Sequence, residues 1–135
     1  MNWLDKIFPK KKTEDQHTWP LTLPQVKIIS IHIEKTAGTS FYEDLKKIYG
    51  KQKVVRVDTH QHDQLAVNRE YAFSRKTLEK AEVLHGHIKK EQLEHYFQLP
   101  KNVHWITWIR EPGERVLSSY NYLSSILKNK VNSEK

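Results

Sequence analysis

Residues Val26–Ser40 read VKIISIHIEKTAGTS, and this stretch decides how the rest of the chain is read. Val26–Ile33 is β-branched and almost continuously apolar, the pattern of a strand buried on both faces. Ser40–Tyr49 reads as a helix, with Phe41, Leu45, Ile48 and Tyr49 on one stripe and Gly50 as its stop. Between them the chain must turn at Gly38. A strand delivered through a tight turn into a helix start builds an anion site, because the free N–H groups of the first helical turn point outward and the helix dipole favours negative charge there. Thr39 and Ser40 can cap that turn or bond a phosphate oxygen, and Lys35 adds a full positive charge at the strand end. In a Walker A loop the Lys directly follows a Gly. Here Lys35 precedes Gly38, so the nucleoside-triphosphatase motif is absent. On these residues alone, a strand–turn–helix whose Thr and Ser merely cap stays open as the alternative.

Working outward, Lys53–Asp58 (KVVRVD) predicts a second strand and Ala81–Leu84 a short third one running into His85-Gly86-His87. Residues 62–80 are polar and read as helical. Lys89–Phe97 reads as a helix ended by Pro100, Val103–Ile109 (VHWITWI) as a strand, and Pro112 opens a last helix through about Leu127. Strands alternating with helices predict an α/β fold, a parallel sheet flanked by helices. Residues 1–25 show no sustained period, a Lys cluster at Lys10, Lys11 and Lys12, and prolines at Pro9, Pro20 and Pro24. They read as a loosely ordered basic arm before a domain of residues 26–135. Trp3, Leu4, Ile7 and Phe8 can form one amphipathic turn that docks on the domain, with contact to a membrane surface the less favoured use.

The second cluster is Arg110-Glu111-Pro112-Gly113-Glu114-Arg115, after the strand at 103–109. In open parallel sheets ligands collect at the carboxyl ends of strands, and Lys35 and Arg110 both sit at such ends. On the last helix Val116, Leu117, Tyr120, Leu123 and Leu127 form one stripe. Ser118 falls opposite it, so it faces solvent or a ligand rather than a core. Surface pairing with Glu111 and Glu114 is the expectation for Arg115 but not for Arg110.

With 135 residues the chain has room for one small domain. Lys and Arg number 23 against 16 Asp and Glu, a net charge of +7 that suits a polyanionic partner. No nucleic-acid reading motif accompanies that charge, so a nucleic-acid partner is not expected. The absence of cysteine excludes disulfides, Cys-based zinc sites and thiol catalysis. No apolar run is long enough to span a bilayer and no signal peptide is recognisable, which predicts a cytoplasmic protein.

KTAGTS after a strand, followed later by REPGERVLSSY after another, resembles the sulfotransferases that use 3′-phosphoadenosine 5′-phosphosulfate (PAPS). The likeness is greatest to the carbohydrate group, especially the heparan sulfate 2-O-sulfotransferases and their bacterial relatives, and runs from about Val26 to Leu127. It implies a P-loop-like sulfotransferase fold. It further implies that Lys35, Thr36, Ala37, Gly38, Thr39 and Ser40 surround the 5′-phosphosulfate, and that Arg110 and Ser118 hold the 3′-phosphate. His85-Gly86-His87 resembles the catalytic histidine segment, with His87 favoured as general base and His85 as second candidate, and Lys35 stabilising the leaving group. No metal is required in that scheme. The expected partners are the PAPS donor and a hydroxyl acceptor, a glycan.

Two departures stand out. Glu34 occupies the place where these enzymes commonly have Pro, and a carboxylate there opposes an anion. Family members also continue well past the 3′-phosphate helix, so the domain reads as truncated at its C-terminus. That leaves a second reading, a remnant that binds the adenosine bisphosphate without transferring sulfate. A third is a P-loop nucleotide kinase or NTPase with Asp58 on Mg²⁺, against which the position of Lys35 argues. His60 and His62 read as a polar loop.

Overall fold

The structure, a computed structural model, describes residues 19–59 and 64–133. The amphipathic turn near Trp3, the Lys10–Lys12 cluster, His60 and His62 lie outside the described residues. In chain order the elements are β1 (Leu21–Thr22), β2 (Ile28–Ile31), α1 (Gly38–Tyr49), β3 (Val54–Thr59), β4 (Leu65–Val67), α2 (Arg75–Glu79), β5 (Val83–Gly86), α3 (Lys90–Tyr96), β6 (Phe97–Gln98), β7 (His104–Thr107) and α4 (Pro112–Ser133). Five strands form one mixed sheet in the order β4-β3-β5-β2-β7, and β1 pairs with β6 in a separate ribbon. The strands β3, β5, β2 and β7 run parallel, while β4 returns antiparallel on β3.

Alternation along these strands divides the core. Ile29, Val55, Val57 and Leu84 pack on one face with Leu78 of α2, Leu93 of α3 and the segment around Leu21, Leu23 and Val26. On the other face Val54 and Val83 meet Leu45 of α1, with Ile28, Phe41, Tyr42 and Tyr49 around them. Each fully buried aliphatic side chain contributes about 1.5–3 kcal/mol relative to exposure. At the amino ends of the strands one carboxylate, Glu82, receives both Lys27 at 2.6 Å and Lys53 at 2.5 Å.

Three expectations need correction. The packed chain extends upstream of Val26 at least to Trp19: Leu21 and Leu23 are buried, β1 pairs with β6, and Trp19 packs against Tyr96 at 5.0 Å and Phe97 at 5.9 Å. The segment at 62–80 is helical only over Arg75–Glu79, because Leu65, Ala66 and Val67 are taken up as β4 and fully buried. The apolar stripe of α4 does not face the core. Val116, Leu117, Tyr120, Leu123 and Leu127 are all more than half exposed, and the helix instead turns Ser118 and Tyr122 toward the end of the sheet. Among the described residues no helix is long and apolar enough to cross a membrane.

Candidate active site

Parallel pairing sets the carboxyl ends of β2, β5 and β7 side by side. The register places Ile31 opposite Gly86 on one side and Thr107 on the other. Three chain segments therefore emerge together: His32 with the loop leading to α1, His87, and Trp108–Arg110 leading to α4.

The loop after β2 is held in an unusual backbone form. Lys35 (φ 62°) and Ala37 (φ 61°) are both left-handed, a conformation that costs about 1 kcal/mol or more for a residue with a side chain. Thr36 between them is buried and donates its hydroxyl to the Ile33 carbonyl at 2.6 Å, fastening the loop from within. Helix α1 begins at Gly38, with Phe41 N–H bonded to the Ala37 carbonyl at 3.2 Å. The N–H groups of Gly38, Thr39 and Ser40 thus lead the helix without an intrahelical acceptor. No side chain caps this end, so Thr39 and Ser40 do not cap it as the capping alternative required. Lys35 reaches across to α4, its Nζ lying 3.1 Å from the centroid of the Tyr122 ring, a cation–π contact.

The loop, His87 and the start of α4 enclose a cavity of about 440 Å³. Of the residues singled out in the sequence, it is lined by Lys35, Ala37, Gly38, Thr39, His87, Arg110 and Ser118. Its wall also holds His32, Glu34 and Tyr122, and Glu34 is exposed there. Thr36, Ser40 and His85 are outside it. Tyr122 was not read as a site residue, although it lies four positions after Ser118 and so shares its helical face. His32 was missed because one histidine ending an apolar run resembles core.

Arg110 departs from expectation. Its Nε donates to Glu114 Oε2 at 3.2 Å, so a surface pair forms on Arg110, whereas among the described residues none forms on Arg115. The spacing i, i+4 brings Arg110 and Glu114 to one side of the helix start, whereas Glu111 folds back and accepts the Glu114 N–H at 2.8 Å. That bond and one from the Gly113 N–H hold the Glu111 carboxyl below its ordinary value. Gly113, unexpected in a first helical turn, leaves room for the same carboxylate, which a Cβ would meet at 3.1 Å. The terminal nitrogens of Arg110 make no hydrogen bond among the described residues and remain available to an anion.

The two histidines of the HGH segment differ sharply. His85 is fully buried, its Nδ1 2.9 Å from Ser30 Oγ and its ring stacked on Tyr42 at 5.0 Å. Burial, then the neighbouring His32 and Arg56, push its imidazole down to about 4, so it is neutral near pH 7. His87 faces the cavity, and its backbone N–H donates to Asp58 Oδ1 at 3.0 Å. Asp58 is itself clamped by Arg56, with Nε to Oδ2 at 2.6 Å and Nη2 to Oδ1 at 3.2 Å. This carboxylate is therefore engaged in positioning the HGH segment rather than free for Mg²⁺. Burial alone would raise its pKa; the Arg56 hydrogen bond and the His87 N–H overcome that and lower it.

These shifts set the acid stability. For His85 the folded pKa lies below the unfolded value near 6.5, so the unfolded chain binds the extra proton as pH falls from about 6.5 to 4, and stability declines over that window. For Asp58 the folded value is also depressed, so its contribution is present above the unfolded carboxylate value and is lost as pH falls through the folded one. Asp58→Asn is expected to cost about 3 kcal/mol at pH 7 by leaving Arg56 unpaired. It should keep the decline between pH 6.5 and 4 while removing the lower one. Urea denaturation of both proteins across pH 3–8 checks this, and superimposable slopes below pH 4 would refute the role given to Asp58.

On the far side of His32 lies a second cavity of about 710 Å³ that shares Gly38 and Thr39 with the first. Its wall carries Lys46, Lys51, Arg56, Arg69, Lys76 and Lys80 against the single carboxylate of Glu43.

With the loop, the HGH segment and the Arg110 helix in place, comparison with known families is decisive: the model described as Sulfotransferase family matches residues 20–133. The chain belongs to the sulfotransferase family. The match begins beside Trp19 and takes in α4 and every residue of the smaller cavity. No curated protein and no solved structure matches this sulfotransferase-family chain.

Proposed function

We propose that the chain transfers a sulfuryl group from PAPS to a hydroxyl of an anionic carbohydrate, through a P-loop-like site. The observation that carries this is the convergence of Lys35, the α1 amino terminus, Arg110, Ser118 and His87 on one cavity. The donor supplies an electrophilic sulfur joined to a phosphate leaving group. Thr39 and the N–H groups of Gly38, Thr39 and Ser40 suit the 5′-phosphate, and Lys35 offsets the charge that builds on it as the sulfur–oxygen bond breaks. Arg110 and Ser118 suit the 3′-phosphate, which separates this donor from ATP. His87 takes the proton of the acceptor hydroxyl as its oxygen attacks sulfur. Neutral His85 serves as the buried support of that segment. The cationic second cavity favours an acceptor bearing carboxylates or sulfates, as a glycan of this type does.

Calorimetry with adenosine 3′,5′-bisphosphate and PAPS tests the reading. Arg110→Ala should weaken both ligands by about 10- to 100-fold, the loss of a charge-assisted contact, and Lys35→Ala should do so more for PAPS. Absence of binding, or binding indifferent to both substitutions, overturns it.

A further inference from the structure

We infer that His32 is a positioning residue that carries the state of the anion loop to His87; the inference rests on the reading of His87 as the base. Its backbone is fixed by the sheet, with the His32 N–H donating to the Gly86 carbonyl at 2.7 Å. Its ring lies between those of the HGH segment, 4.5 Å from His87 at 21° and 5.4 Å from His85 at 20°. The edge of the same ring rests on Gly38, the first residue of α1. A Cβ built at Gly38 would stand 2.1 Å from both Cδ2 and Nε2 of His32. The backbone at Gly38 is not left-handed, so a side chain is excluded there by the ring and not by conformation.

Among the described residues its Nδ1 is buried without a hydrogen-bond partner, and stacking and packing restrain the ring. A bare Nδ1 lone pair is the less costly burial, so the neutral ring carries its proton on Nε2, at the Gly38 edge. Burial pushes the His32 imidazole below its ordinary value, with His87 and Arg56 adding to the effect. An anion drawn to the first turn of α1 acts on the backbone at Gly38, and any adjustment there bears on the ring and through it on His87. The ring is thus shared by the surface that senses the donor and the group that removes the acceptor proton.

The test uses the histidine ring signals of the full chain by NMR, titrated with adenosine 3′,5′-bisphosphate. In the wild type the His87 signals should move on saturation. In His32→Asn, compared at its own saturation with the bisphosphate, the His87 displacement should fall to less than about half of that in the wild type. Gly38→Ala should weaken binding about tenfold or more, because its methyl meets the ring. The double variant Gly38→Ala/His32→Asn should regain most of that affinity, yet leave His87 unresponsive. A purely structural ring would not separate affinity from the His87 response in this way. An undiminished His87 displacement in His32→Asn, or a double variant no tighter than Gly38→Ala, overturns the inference. So does failure of both ring-less variants to fold. Absence of bisphosphate binding by the wild type overturns the functional reading and this inference together.

Discussion

His87→Gln is expected to bind the bisphosphate as the wild type does but to transfer sulfate about 100- to 10,000-fold more slowly, the range for loss of a positioned general base. The backbone N–H of His87 is anchored on Asp58 at 3.0 Å, so the segment keeps its course whatever the side chain. The ring is stacked on His32 at 4.5 Å in the same cavity as Lys35 and Arg110. Glutamine preserves length and polarity but cannot accept the acceptor's proton. Turnover of labelled donor against a panel of carboxylated and sulfated sugars, beside calorimetry of the bisphosphate, separates the two effects. An unchanged transfer rate would remove His87 from the chemistry.

Gly86→Ala is expected to be the most damaging single methyl group in the described chain. A Cβ at Gly86 would fall 1.9 Å from the Val57 carbonyl oxygen, 2.8 Å from its carbon and 3.0 Å from Asp58 Oδ1. The obstacle is the backbone of the neighbouring strand, which pairs with β5 in the middle of the sheet and has no rotamer with which to yield. Overpacking of this kind costs about 3 kcal/mol or more, a fall in Tm of roughly 10 °C for a domain of this size. Gly113→Ala provides the contrast. Its Cβ meets only the flexible end of Glu111 at 3.1 Å, and alanine gains about 1 kcal/mol of helix propensity, so little net change is expected. Thermal melts of the two variants decide the matter, and a Gly86→Ala protein melting with the wild type would show that β3 and β5 can separate freely.

Much of this was legible in the sequence where one strong signal dominated. The strands β2 and β3 announce themselves because β-branched residues run through positions largely buried in the sheet, and β5 and β7 because short apolar runs stand between turn and helix signals. The expected ends of β2 and β7 overshot, since Val26 and Val103 are apolar for packing and lie outside the ladder, while β3 and β5 each run past their expected carboxyl ends. The three residues of β4 and the two of β1 carry no period, so their pairing partners decide them rather than their own composition. The α4 stripe had the right spacing, but spacing says only that one face is apolar and not what it meets. At the candidate site, Lys35, Gly38, Arg110 and Ser118 stood out in the sequence, and the fold sets all four on one cavity. The Arg110–Glu114 pair, the Asp58 clamp and the His32 ring depend on register and rotamer, which only the folded chain supplies.

The parallel sheet has a consequence for how the molecule comes into being. Ser30 and His85, which touch through Oγ and Nδ1, are 55 positions apart, and the Ile31 carbonyl receives the Thr107 hydroxyl across 76. Contacts so distant along the chain close late, because loop entropy must be overcome before they return any stabilisation. β2 is synthesised before both of its neighbours and must wait, an apolar ribbon without partners, until β5 and then β7 arrive on either side. Within this sheet β2 is made first and completed last, so chaperone demand and the risk of aggregation during synthesis fall on the segment that leads into the candidate site.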